Sequence, residues 1–191
     1  MPHQKAQQLE QATKALHKYF DKMQSFKIKG VNGEKSTYVY YNISTPTKAS
    51  AKKIDKTLPT IVFCNPVLLS TYFWEGESEL PRPDRPSLNG SAVHSNQSLR
   101  RFNLITYDLR GHGKTNGKPV GTYTRQTAAN DLARLLAELS VPRAFVCGVS
   151  LGSLVALQFA IDHPASCAGL MLVGVIPTPD VGSSPWLTNV S

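Results

Sequence analysis

The sequence predicts an α/β fold, a mostly parallel sheet with helices on both faces, and three observations carry that expectation. Four short apolar runs, "TIVFC" at 60–64, "NLITYD" at 103–108, "AFVCG" at 144–148 and "AGLMLVG" at 168–174, lack strict apolar–polar alternation, as strands buried on both faces do. The segments between them read as helices: "RQTAANDLARLLAELS" places Ala128, Leu132, Leu135 and Leu139 on one face, and "LGSLVALQFAIDH" is apolar nearly all round until Pro164 stops it. Strands that alternate with helices imply parallel pairing, because each crossover returns the chain to the same edge of the sheet.

Composition agrees. The chain has 191 residues, 41% hydrophobic and 18% charged, which suits a single globular domain with a real core. Its first twenty residues are rich in Gln and Lys, so nothing there resembles a secretory signal, and the longest apolar run, "GLMLVGVIP", has strand length rather than membrane-span length. A cytoplasmic location is expected. Formal net charge is +8, but eleven lysines against four acids precede Pro59, so the basicity belongs to a flank. Basic residues interleaved with aromatics on one face, as nucleic-acid binding requires, do not occur. Cys64, Cys147 and Cys167 lack metal-ligand spacing and read as buried reduced thiols; neither metal nor cofactor is expected.

Along the chain, Leu9, Ala12, Leu16, Tyr19 and Met23 recur at helical steps while Lys14, Lys18 and Lys22 share another side, which makes residues 1–24 a basic amphipathic arm. Its apolar stripe is narrow, so the arm is expected to pack on the domain rather than lie on a membrane. "SFKIKG", "VNGE" and "STYVYYN" read as a β-hairpin, since Asn32 and Gly33 accept the positive φ of a tight turn. Ser44 to Thr57 reads as a mobile surface loop, and the Pro- and Gly-rich stretch within 70–101 as a long functional or disordered one. The core is expected over 25–177, with 178–191 as a tail.

Two turns carry chemistry. "DLRGHGKT" ends like a phosphate loop, but the position five before Gly113 holds Asp108 where a Walker loop needs glycine. It reads instead as a sharp Gly111-His112-Gly113 turn pinned by Asp108 and Arg110. In "GVSLGS", Gly148 and Gly152 sit two residues either side of Ser150, where larger side chains would collide across a tight strand-to-helix turn. Such a strained turn lifts the hydroxyl above the sheet edge, and the helix starting at Leu151 aims its free N–H groups at any oxyanion formed there.

"TIVFCNPVLLSTYFW", "NLITYDLRGHGKT", "YTRQTAANDLARLLAEL", "AFVCGVSLGSLVALQFAIDHP" and "AGLMLVGVIP", taken together, resemble the third to sixth strands of the α/β-hydrolase superfamily, in order and spacing, from about Ser25 to Pro177. The resemblance implies Ser150 as nucleophile and the N–H of Leu151 as one oxyanion donor. The loop after the third strand should supply the second, but it reads Asn65-Pro66 where the family usually has His-Gly. Pro66 cannot donate, which leaves the N–H of Val67.

The family order is serine, acid, histidine, and the last two belong to strands that would follow residue 177. His163 is about 18 Å away along its helix and suits a cap. His94 is expected at the opposite sheet edge, and His3 and His17 in the arm. His112 is at the right edge but one strand removed, a weak candidate base; Asp180, after the sixth strand, is a candidate acid because a minority of relatives carry theirs there. The chain therefore reads as a truncated serine hydrolase for a small ester, lactone or related acyl substrate, with little activity of its own. The alternative is a non-catalytic binding or interaction module. With later strands missing, the sixth is expected to be an exposed apolar edge through which chains self-associate.

Overall fold

The computed structural model describes residue 7 and residues 22–29, 36–48, 50–75, 97–115 and 123–174. Six strands form one sheet: β1 (Gln24–Ile28), β2 (Thr37–Ser44), β3 (Thr60–Cys64), β4 (Asn103–Tyr107), β5 (Ala144–Val149) and β6 (Cys167–Val173). Their order is β1-β2-β4-β3-β5-β6. β2 runs antiparallel to β1 and to β4, and β4, β3, β5 and β6 are parallel. The hairpin is thus present as expected, closed by the pair Ile28–Thr37. The Asn32-Gly33 turn lies outside the described residues, as do the greater part of the arm, the middle of the 70–101 loop and the tail.

Two helices of useful length connect the strands, α2 (Arg125–Glu138) and α3 (Leu151–Asp162); α1 (Tyr72–Glu75) is a single turn after β3. Thr124 caps α2 by accepting the Thr127 N–H at 3.2 Å. Leu132 and Leu135 are fully buried there, each stabilising the fold by about 1.5–3 kcal/mol. α3 buries Val155, Ala156 and Phe159 against the same core, which includes Val62, Ile105, Tyr107 and Val146. The other sheet face carries Phe63, Leu104 and Cys147, with Trp74 of α1 and Leu99 of a short 3-10 turn packed on them. Helical segments therefore lie on both faces, the two long ones on one. None of the described helices is long and apolar enough to cross a membrane.

Two local expectations change. The segment after Ser44 is tied down rather than loose: Ala51 is buried, its N–H donates to Ile43 O at 2.8 Å, and the buried Asn103 amide donates to Asp55 O and Leu58 O while accepting Asp55 N–H. A single buried side chain does here what periodicity does not. The cysteines divide too. Burial pushes the Cys64 thiol up to about 12 and also raises Cys147, whereas Cys167, at the start of the edge strand, is only half-buried.

Candidate active site

β5 ends at Val149 and α3 begins at Leu151, so Ser150 alone makes the crossover, at φ 53° and ψ −116°. A side chain in that region costs about 1–3 kcal/mol and persists only where its surroundings enforce it. Three contacts do so. A Cβ on Gly148 would overlap the Gly152 carbonyl, and one on Gly152 would overlap the carbonyls of Cys64 and Asn65 at the end of β3. Only glycine permits that approach. The Ser150 N–H donates to Val173 O at 2.9 Å, which ties the turn to the end of β6. The serine is half-buried, and its hydroxyl makes no capping hydrogen bond to α3. The first N–H groups of that helix, Leu151's among them, lack partners within it and carry its positive end.

The register pair Cys64–Gly148 sets the loop after β3 beside this turn. Asn65 is fully buried, donating to Tyr107 O at 3.1 Å and accepting the Trp74 indole N–H. Val67 is 49% exposed, and its N–H makes no backbone hydrogen bond among the described residues. Leu68 follows at φ 63°, a second strained position in one short loop.

Asp108, fully buried, holds two loops at once. Its carboxylate accepts Thr71 N–H at 2.7 Å and Lys114 N–H at 2.9 Å, joining the β3 loop to the Gly-His-Gly turn. Gly113, at φ 51°, leaves no room for a Cβ against that carboxylate. Burial raises the Asp108 carboxyl above its ordinary 3.8, despite the opposing hydrogen bonds from Thr71 and Lys114. Arg110 pins the turn from the other side, both oxygens of the buried Asp131 accepting its guanidinium at 2.7 and 2.8 Å.

His112 belongs to this turn rather than to the serine. Its Nδ1 lies 3.1 Å from Arg110 O, and β3 separates its strand from that of Ser150. Two strand spacings are about 10 Å, whereas a base must come within about 3 Å of a hydroxyl it serves, so the strand order sets this candidate base apart from Ser150. His163 sits at the far end of α3, its ring on Phe159 and its Nε2 3.0 Å from Asn130 Oδ1. Asp180, His94, His3 and His17 lie outside the described residues.

A family model described as alpha/beta hydrolase fold matches residues 59–189. The chain belongs to the α/β-hydrolase family. Among curated relatives, "Putative carbamate hydrolase RutD" of Variovorax paradoxus is 36% identical over 81 residues, 42% of this chain and 30% of that protein. The "3-oxoadipate enol-lactonase 2" of Acinetobacter baylyi is 39% identical over 64 residues, 34% of this chain and 24% of that protein. Of solved structures, Cfl2 from Burkholderia cenocepacia superposes with a TM-score of 0.59 at 22% identity, over 85% of this chain and 44% of that one. The matched stretches thus span less than half of each of these proteins.

Around this α/β-hydrolase sheet, three polar groups gave no functional signal in the sequence: Ser153 in the first turn of α3, Thr71 in the β3 loop and Asp131 in α2. Each is buried, and each bonds a distant segment. Only Asp131 left a trace, as a charge in "TAANDLARLL" two turns into an otherwise apolar face.

Proposed function

We propose that this chain carries the nucleophile and the oxyanion side of a serine hydrolase acting on a small ester, lactone or related acyl substrate. The observation that supports it is Ser150 at positive φ between Gly148 and Gly152, with a helix N-terminus directly behind it. In the reaction Ser150 Oγ attacks the acyl carbonyl carbon, and the C=O electron pair moves onto oxygen. Leu151 N–H and Val67 N–H receive that oxyanion, a donor in such a position being worth about 3 kcal/mol. The serine proton goes to a base, and no described histidine is placed to take it, so in this reading the base and its acid partner come from outside the described residues. The substrate class rests on the family and on relatives named for carbamate and enol-lactone hydrolysis. Oxyanion donors and binding alone retain about 10³–10⁴ over water, far below a full triad.

A fluorophosphonate probe tests this directly, because its phosphorus accepts Ser150 Oγ while fluoride leaves. Slow labelling of the folded chain, abolished in Ser150→Ala, is expected. Labelling that survives Ser150→Ala, or none in a folded sample, overturns the reading. The second outcome favours a non-catalytic binding module, for which the distance of His112 and His163 from the serine speaks.

A further inference from the structure

Ser153 is fully buried in the first turn of α3, yet its hydroxyl does not serve the helix. Its Oγ lies 2.7 Å from Gly148 O and 2.9 Å from Val173 O, and it accepts Val173 N–H at 3.2 Å. A hydroxyl has one proton and two lone pairs, so it donates to one of those carbonyls at a time and accepts from the amide. The two carbonyls stand on different strands. One belongs to the last turn-in of β5 before the nucleophile, and the other is the acceptor of the Ser150 N–H itself. Val173 ends the edge strand and is followed by Gly174 at φ 66°, a place where an unanchored strand would fray.

We propose that Ser153 is a positioning residue for the nucleophile: its hydroxyl clamps Val173 to the end of β5 and so holds the acceptor that keeps Ser150 in its strained conformation. An alanine here would fill nearly the same volume, but it would take that partner from the part-buried Val173 N–H and from one carbonyl. The Ser150 N–H would then have a mobile acceptor, and its φ could relax. A serine that merely satisfied the core would affect overall stability without singling out the turn.

This inference rests on Ser150 being the nucleophile, and two readouts separate its failure from the failure of that premise. In Ser153→Ala, fluorophosphonate labelling at Ser150 should slow at least about tenfold at a temperature where circular dichroism shows both proteins folded. Amide hydrogen exchange should quicken at Ser150 and Val173 while Val62 and Val146 in the central strands keep their protection. Unchanged labelling in a labelled wild type overturns the proposal, as does a uniform acceleration of exchange across all strands. If the wild type does not label, the premise fails, and the exchange pattern alone still decides whether Ser153 holds the turn. Should Ser153→Ala not fold, Ser153→Cys, with a weaker donor of similar size, is read by the same two criteria.

Discussion

Ser150 is the position where local preference and tertiary demand disagree most openly. Its φ of 53° suits glycine, and a β-carbon there is tolerated only because Gly148, Gly152 and the Val173 carbonyl crowd the turn from three sides. Ser150→Gly should therefore raise unfolding free energy by about 1 kcal/mol in urea titration, since the relieved strain outweighs the added chain entropy, while removing all probe labelling. Equal or lower stability would show that the turn carries no strain. The glycine spacing made this geometry legible in the sequence. Ser153 was not legible, because a hydroxyl that bonds a carbonyl twenty positions away leaves no periodic mark.

At the level of elements, the loops after β3 and β4 are tied through one carboxylate. Asp108 accepts from Thr71, 37 positions back, and from Lys114 within its own turn, so one side chain joins β3's loop to β4's. Because burial holds its carboxyl above 3.8, the folded chain keeps this proton to higher pH than the unfolded chain. The group's contribution is thus fully present below 3.8 and is lost as pH rises through the raised value. Stability measured against pH should show wild type losing ground to Asp108→Asn across that window and holding a constant gap above it. Wild-type stability that stays constant or rises relative to Asp108→Asn through the window would show that burial does not hold the proton on Asp108. The sequence announced the turn and its pins, and it announced β3, β4 and β5 through apolar runs without alternation. It was silent on the anchoring of 45–58, which depends on Asn103 reaching back across the sheet.

For the whole molecule, the sheet sets the Ser150 turn at one end of its strands and, among the described residues, presents an apolar margin along β6. Among the described residues β6 ends the sheet, with Met171 63% and Val173 50% exposed and no charge along the strand. A strand edge of this kind offers a template on which another chain can pair. Sedimentation should give an apparent mass above that of one chain, rising with concentration and falling back in Met171→Lys; a monodisperse monomer at every concentration would refute the pairing. The parallel order and the family's likeness were both readable in advance, because consecutive motifs repeat a strand–turn–helix grammar. Side-chain bonds between non-neighbouring strands were not, since they depend on the completed sheet.

In the proposed site the Ser150 hydroxyl and the N–H groups of Leu151 and Val67 face one point in space. A crystal structure of the chain after fluorophosphonate treatment tests it most directly. Phosphorus bonded to Ser150 Oγ, φ still positive, and the phosphoryl oxygen about 2.7–3.1 Å from Leu151 N and Val67 N are expected. An adduct whose phosphoryl oxygen faces away from both amides, or a Ser150 relaxed to negative φ, would contradict it.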